Sequence, residues 1–249
     1  MNDGPMIRVE NLRKAYDTRL AVDDFTFQVD PGEVMGFVGP NGAGKTTTLR
    51  IIAGILPPSA GRVWIAGSDL EEKPIDAKRH VGFVPDTPEL ISHLTVGEHL
   101  EFVGRVRSLP DRDERARQLL DELGLTDRRD HLPDTLSRGM RQKVAIAWAF
   151  LHDPEAILLD EPLSGLDPRG IRSVKDTIRR RAEDGAAVII SSHLLELVEV
   201  LCDSILIISE GRQLARGPIS ELKEKQKADA TLEEVFFQIT GDGPGAESP

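Results

Sequence analysis

The segment Gly39-Pro40-Asn41-Gly42-Ala43-Gly44-Lys45-Thr46 constrains this chain more than any other. It follows a short apolar run, Glu33-Val34-Met35-Gly36-Phe37-Val38, and opens a helical stretch from Thr46 to Ile55 that Pro57-Pro58 ends. A glycine-rich turn between a buried strand and a helix, closed by Lys-Thr, is the pattern G-x-x-x-x-G-K-[ST] in the context it requires. The glycines let backbone N–H groups curl around phosphates, and the helix points its positive end at them. Gly39, Asn41, Gly42, Gly44 and Thr47 are the expected loop contacts. Lys45 is expected to reach the β- and γ-phosphates, and the Thr46 hydroxyl to hold Mg²⁺.

Further strands are read at Ile7-Arg8-Val9, Phe25 to Val29, Gly61 to Gly67 and Val81 to Val84, with others at Ala156 to Asp160, Ala186 to Ser191 and Ile205 to Ser209. From Thr95 to about His152 the texture is helical, with a charged amphipathic helix over Asp111 to Leu123 that Gly124 ends. Short apolar strands alternating with helices imply an α/β fold whose mostly parallel sheet is covered on both faces. The helical block is then an insertion into that core. The expected division is one domain over residues 1–240, with core 1–86 and 154–240, helical subdomain 87–153, and a disordered tail over 241–249.

Ile157-Leu158-Leu159-Asp160-Glu161 supplies the second half of the site. A buried strand delivers its two carboxylates at the sheet edge where ligands of such sheets sit. Asp160 is placed to hold the Mg²⁺ shell and Glu161 to polarise an attacking water. A third element, Leu136-Ser137-Arg138-Gly139-Met140-Arg141-Gln142, puts a Ser-x-Gly turn at the start of a helix just ahead of that strand. Ser137 and Gly139 offer a hydroxyl and exposed N–H groups suited to a γ-phosphate.

Together these residues resemble the ATP-binding subunit of an ATP-binding cassette (ABC) transporter, over nearly the whole chain. Leu136 to Met140 is similar to the family signature Leu-Ser-Gly-Gly-Gln, with its third and fifth residues replaced. The resemblance implies a P-loop NTPase (RecA-like) core with an N-terminal antiparallel β subdomain and an inserted α-helical subdomain. It also implies ATP and Mg²⁺ as cofactors. Ser164-Gly165-Leu166-Asp167 resembles the loop that contacts the partner subunit, His193 the switch histidine at the γ-phosphate, and Tyr16 the aromatic that stacks on adenine. Where many members carry a glutamine after the strand Val81 to Val84, this chain reads Pro85-Asp86, and Asp86 is assigned to the Mg²⁺ shell in its place.

Two phosphate-facing edges on different parts of one chain imply a site completed between two ATP-binding subunits, identical or related, under two-fold symmetry. The expected function is ATP hydrolysis that powers a separately encoded membrane permease. The Ser-Arg-Gly-Met-Arg-Gln variant and the segment Leu232 to Phe237 resemble the ABC-2 exporter branch, although Thr231 to Phe237 could equally be an amphipathic packing helix. A soluble ABC ATPase of iron–sulfur or other macromolecular assembly is the alternative. A P-loop kinase or GTPase is disfavoured, since no Asn-Lys-x-Asp element is present. Without an apolar run near the roughly 20 residues that span a bilayer, or a signal-peptide pattern at Met1 to Pro5, the expected location is cytoplasmic, on the membrane's inner face through the permease. The net charge of −11 argues against nonspecific binding to nucleic acid or to an anionic membrane surface, so no direct nucleic-acid contact and no direct lipid insertion are expected. Cys202, the single cysteine, is expected to be core filler.

Overall fold

The computed structural model describes residues 4–17, 19–225 and 230–241. The tail expected from Gly241 lies, apart from Gly241 itself, outside the described residues. Two antiparallel strands, β1 (Ile7–Tyr16) and β2 (Arg19–Val29), lead into β3 (Val34–Val38), which feeds the glycine-rich loop and α1 (Lys45–Ile52). The helix stops short of the expected Ile55 because Gly54 turns left-handed (φ +67°), sending the Ile55 and Leu56 N–H groups back to the Arg50 carbonyl. β4 (Ala60–Ile65) then pairs antiparallel with β1 and with the short β5 (Ser68–Asp69). α2 (Pro74–Arg79) carries the chain to β6 (Val81–Val84).

Three helices intervene before the sheet resumes: α3 (Val96–Val106), α4 (Arg112–Glu122) and α5 (Arg138–Phe150). Each start or stop has a local cause. Thr95 and Glu98 form a reciprocal capping box on α3, Gly124 is left-handed just beyond α4, and the Ser137 hydroxyl accepts the Met140 N–H at the start of α5. β7 (Ala156–Asp160) follows, then α6 (Pro168–Glu183), β8 (Ala187–Ser192) and α7 (Leu195–Leu201). The hairpin β9 (Ser204–Ser209) and β10 (Arg212–Pro218) turns on Glu210 and Gly211, both at positive φ, and α8 (Ile219–Glu224) and α9 (Leu232–Thr240) close the described chain. α9 takes up the packing-helix alternative for Thr231 to Phe237, with Leu232 and Val235 buried.

Sheet order is β5-β4-β1-β2-β10-β9-β3-β8-β7-β6, with β3 parallel to both β8 and β9, and β7 parallel to β8 and β6. All residues of β3, β7 and β8 are buried, and their side chains divide by alternation between two cores. Val34, Val38, Ile157, Leu159, Val188 and Ile190 join the core shared with α3 to α9. Met35, Phe37, Leu158, Ala187 and Ile189 join the one beneath the antiparallel strands, α1 and α2. This double burial is what the continuous apolar strands require. Cys202 packs in the first core, where burial pushes its thiol up to about 12.

His152, just past α5, pins the helical block to the sheet: its Nε2–H donates to the Val81 carbonyl at 3.1 Å, while Nδ1 is buried without a partner. Burial, with Arg107 nearby, lowers its pKa from 6.5 to about 4. The folded chain therefore holds this proton less tightly than the unfolded chain. The resulting stability is full above pH 6.5 and is lost as pH falls toward 4. His152→Gln, which keeps an N–H donor, should show a shallower loss of urea midpoint between pH 7 and pH 5 than the parent.

Candidate active site

The loop after β3 is fixed by sterics and by its own carbonyls. A Cβ at Gly39 would lie 2.2 Å from the Ile208 carbonyl oxygen, and one at Gly44 (φ +109°) 2.4 Å from that of Ala21. Only glycine fits either place. Arg19 Nη2 donates to the Gly42 carbonyl at 2.8 Å, and the Gly211 N–H to that of Ala43 at 3.1 Å. Lys45 Nζ donates to the Gly39 and Pro40 carbonyls at 2.6 and 3.1 Å. The first-turn N–H groups of α1, which have no intrahelical acceptor, are the donors left for an anion.

Lys45 is 7 % exposed. Burial lowers its pKa, and the nearby carboxylates of Glu161 and Asp160 oppose that shift. Those carboxylates are set by the neighbouring strand. Ser191, near the end of β8, donates its hydroxyl to Asp160 Oδ1 at 2.5 Å and accepts the Glu161 N–H at 3.0 Å. Asp160 is 2 % exposed, and Glu161 turns out of the strand at φ +49°. The turn aims Glu161 at His193, whose Nδ1 lies 2.8 Å from Glu161 Oε2.

A cavity of about 280 Å³ gathers these parts, lined by Tyr16, Asn41, Gly42, Gly44, Lys45, Thr46, Thr47, Asp86, Asp160 and Glu161, together with Arg19 and Ala21. Gly39 stands behind it as an acceptor for Lys45, and His193 joins through Glu161. Ser137 and Gly139 are not among the lining residues. Arg19, Ser191 and Lys14, whose ammonium stands 5.3 Å from the Tyr16 ring centroid, were not foreseen.

The residues fit a magnesium nucleotide. A desolvated ammonium, free helix N–H groups and an aromatic face match a polyphosphate bearing a base. No group of three His, Cys, Asp or Glu among the described residues could by itself cage a metal. The cavity's carboxylates suit Mg²⁺, which keeps waters and binds through one or two carboxylates plus phosphate.

Residues 22–164 match the family described as ABC transporter. The chain is 40 % identical over 236 residues to the uncharacterized ABC transporter ATP-binding protein YhcH of Bacillus subtilis (strain 168), covering 94 % of this chain and 75 % of that protein. It is 36 % identical to the Nod factor export ATP-binding protein I of Ralstonia nicotianae (strain ATCC BAA-1114 / GMI1000), covering 88 % of this chain and 68 % of that one. The dimeric structure of MJ0796, a bacterial ABC transporter cassette, superimposes with a TM-score of 0.80 at 27 % identity, covering 86 % and 99 % of the two chains. The chain belongs to the ABC transporter family and is an ATP-binding subunit that couples ATP hydrolysis to transport.

Ser191→Ala removes the hydroxyl that orients Asp160 and helps fix the backbone of Glu161. On the expectation that Asp160 holds Mg²⁺, half-saturating Mg²⁺ for ATP hydrolysis should rise about tenfold, the usual effect of losing a support behind a metal ligand. An unchanged Mg²⁺ titration would show that Asp160 needs no such orientation.

Proposed function

We propose that the cavity is one half of a composite ATPase site, in which Lys45 and the loop from Gly39 to Thr47 bind the phosphates and Tyr16 stacks on the base. The carrying observation is that one cavity gathers Lys45, Asp160 and Glu161 while leaving out Ser137 and Gly139. Those two residues then serve the γ-phosphate of a second subunit, so that ATP joins two protomers and its loss separates them. The relative solved as a dimer supports this reading.

Thr46, Asp160 and Asp86 would hold Mg²⁺, which when bound neutralises charge on the β- and γ-phosphates. Glu161 orients the attacking water and takes its proton. His193 occupies Oε2, so Oε1 is the oxygen that accepts it. The new bond forms between the water oxygen and the γ-phosphorus as the bond to the β-bridging oxygen breaks, and ADP and phosphate leave. Each charge-assisted hydrogen bond lost with the γ-phosphate contributes about 1.5–3 kcal/mol, enough in small number to open a dimer of modest affinity.

No helix among the described residues is long and apolar enough to cross a membrane, so a separate permease would supply the translocation path. Its docking site is a groove of about 310 Å³ where the helical block meets the edge strand β6, lined by Phe83, Pro88, Leu90, Phe102, Val106 and Trp148 among others. Aromatic and apolar side chains left exposed there, Phe102 and Val106, suit a partner helix. Docking would hold the subunit at the cytoplasmic face of the membrane. Export is the favoured direction, supported by the export-related relative and the variant signature segment. We read residues 1–240 as one unit, with core 1–86 and 154–240 and helical block 87–153.

Glu161→Gln should keep ATP binding, lower turnover by about 10²–10⁴-fold, and accumulate an ATP-dependent dimer on gel filtration. Normal turnover would remove Glu161 as the base. Phe102→Asp should abolish co-purification with an integral membrane protein from detergent-solubilised membranes while leaving ATP hydrolysis by the isolated chain unchanged. Co-purification with a soluble scaffold instead would favour the assembly reading.

A further inference from the structure

Asp86 and Arg138 are two places where this chain departs from the resemblance, one carrying a carboxylate for an amide, the other a guanidinium for a glycine. The fold brings the two departures together. Arg138 Nη2 lies 3.9 Å from Asp86 Oδ1 and donates to Ser164 Oγ at 3.4 Å. Its stem crosses Gly165, where a Cβ would stand 3.2 Å from Arg138 Cδ. Beside it, Gly139 is pressed against the Gly165 carbonyl, with only 2.8 Å between that oxygen and any added Cβ. One guanidinium thus joins the first turn of α5, the turn that follows Glu161, and the loop after β6.

Asp86 has a second allegiance, because it also lines the nucleotide cavity alongside Asp160 and Glu161. Three carboxylates around a polyphosphate repel one another and the ligand unless cations stand among them. Arg138 provides such a cation from within the same chain, 3.9 Å from Asp86.

We propose that Arg138 is a positioning residue that holds Asp86, and that magnesium-bound nucleotide competes with it for that carboxylate. Loading the site then frees the first turn of α5, with its guanidinium, to face the second subunit. The inference rests on the reading that Asp86 turns toward the metal ion. Side-chain exposures of 62 % for Arg138 and 50 % for Asp86 make this a weak, solvent-screened pair. Weakness suits a contact that nucleotide must displace.

The test is a double-mutant cycle in full-length protein carrying Glu161→Gln to block turnover. Arg138→Gln, Asp86→Asn and the double variant are titrated with a fluorescent ATP analogue, in Mg²⁺ and in EDTA, and unfolded by urea without nucleotide. In Mg²⁺, Arg138→Gln should favour binding by about two- to fivefold more with Asp86 present than in the Asp86→Asn background, the range of an exposed ion pair. The difference should vanish in EDTA, and the two substitutions should be non-additive in nucleotide-free unfolding. Additive unfolding overturns the pair itself. An equal difference in EDTA overturns the competition, leaving only a charge effect. If Asp86→Asn leaves Mg²⁺ dependence unchanged while unfolding stays non-additive, the metal reading of Asp86 fails and the competition with it, but the resting pair stands.

Discussion

Withdrawing a lysine ammonium from water is costly unless oxygen atoms replace the lost hydration. In this fold the replacement comes from the chain's own loop, whose Gly39 and Pro40 carbonyls bond Lys45. That bonding requires the loop to curl tightly, and the curl requires bare Cα atoms where Ile208 and Ala21 approach. Those neighbours are strand residues, so the loop's shape depends on the sheet order that sets β9 beside β3 and β2 near α1. The phosphate cradle is therefore a property of the whole sheet. A defect in strand pairing would reach the site through two carbonyl oxygens, without touching any residue that lines it.

The acidic side of the cavity follows a similar rule. β7 and β8 run parallel in register, with Asp160 opposite Ser191, so the end of one strand lies within hydroxyl reach of the other. The carboxylate that would meet the metal and the backbone of the one that would meet water share a single serine. Alternating burial on both faces leaves these strands no freedom to slip, because a one-residue shift would exchange their two cores. The precision of the site is inherited from apolar packing.

Patterns confined to one stretch of chain were legible in the sequence: β3 into the loop and α1, the apolar strand ending at Asp160, the cap at Ser137, and the helix that stops at Gly124. β10 was not, because none of its residues is buried and hydrophobic periodicity is silent there; its backbone pairing with β9 makes it a strand. Ser191 reads as an ordinary strand-end serine until β7 is laid beside it. Arg19 reads as a hairpin residue until the loop carbonyl of Gly42 is placed under it. Asp86 and Arg138 could each be seen as a departure, but only their meeting in space shows that the charges match. What sequence withheld was juxtaposition across the sheet, since register between distant strands leaves no local trace.

The contact between His193 and Glu161 carries a constraint on proton count. An ionised carboxylate can only accept, so the ring must donate from Nδ1 to make the 2.8 Å bond to Oε2. A neutral imidazole then has no second proton, and its Nε2 presents a lone pair to whatever lies beyond. Only the imidazolium can hold Glu161 on one side and donate to a phosphate oxygen on the other. The nitrogen committed to Glu161 therefore fixes what the other nitrogen can offer, so the two contacts are coupled through one imidazole.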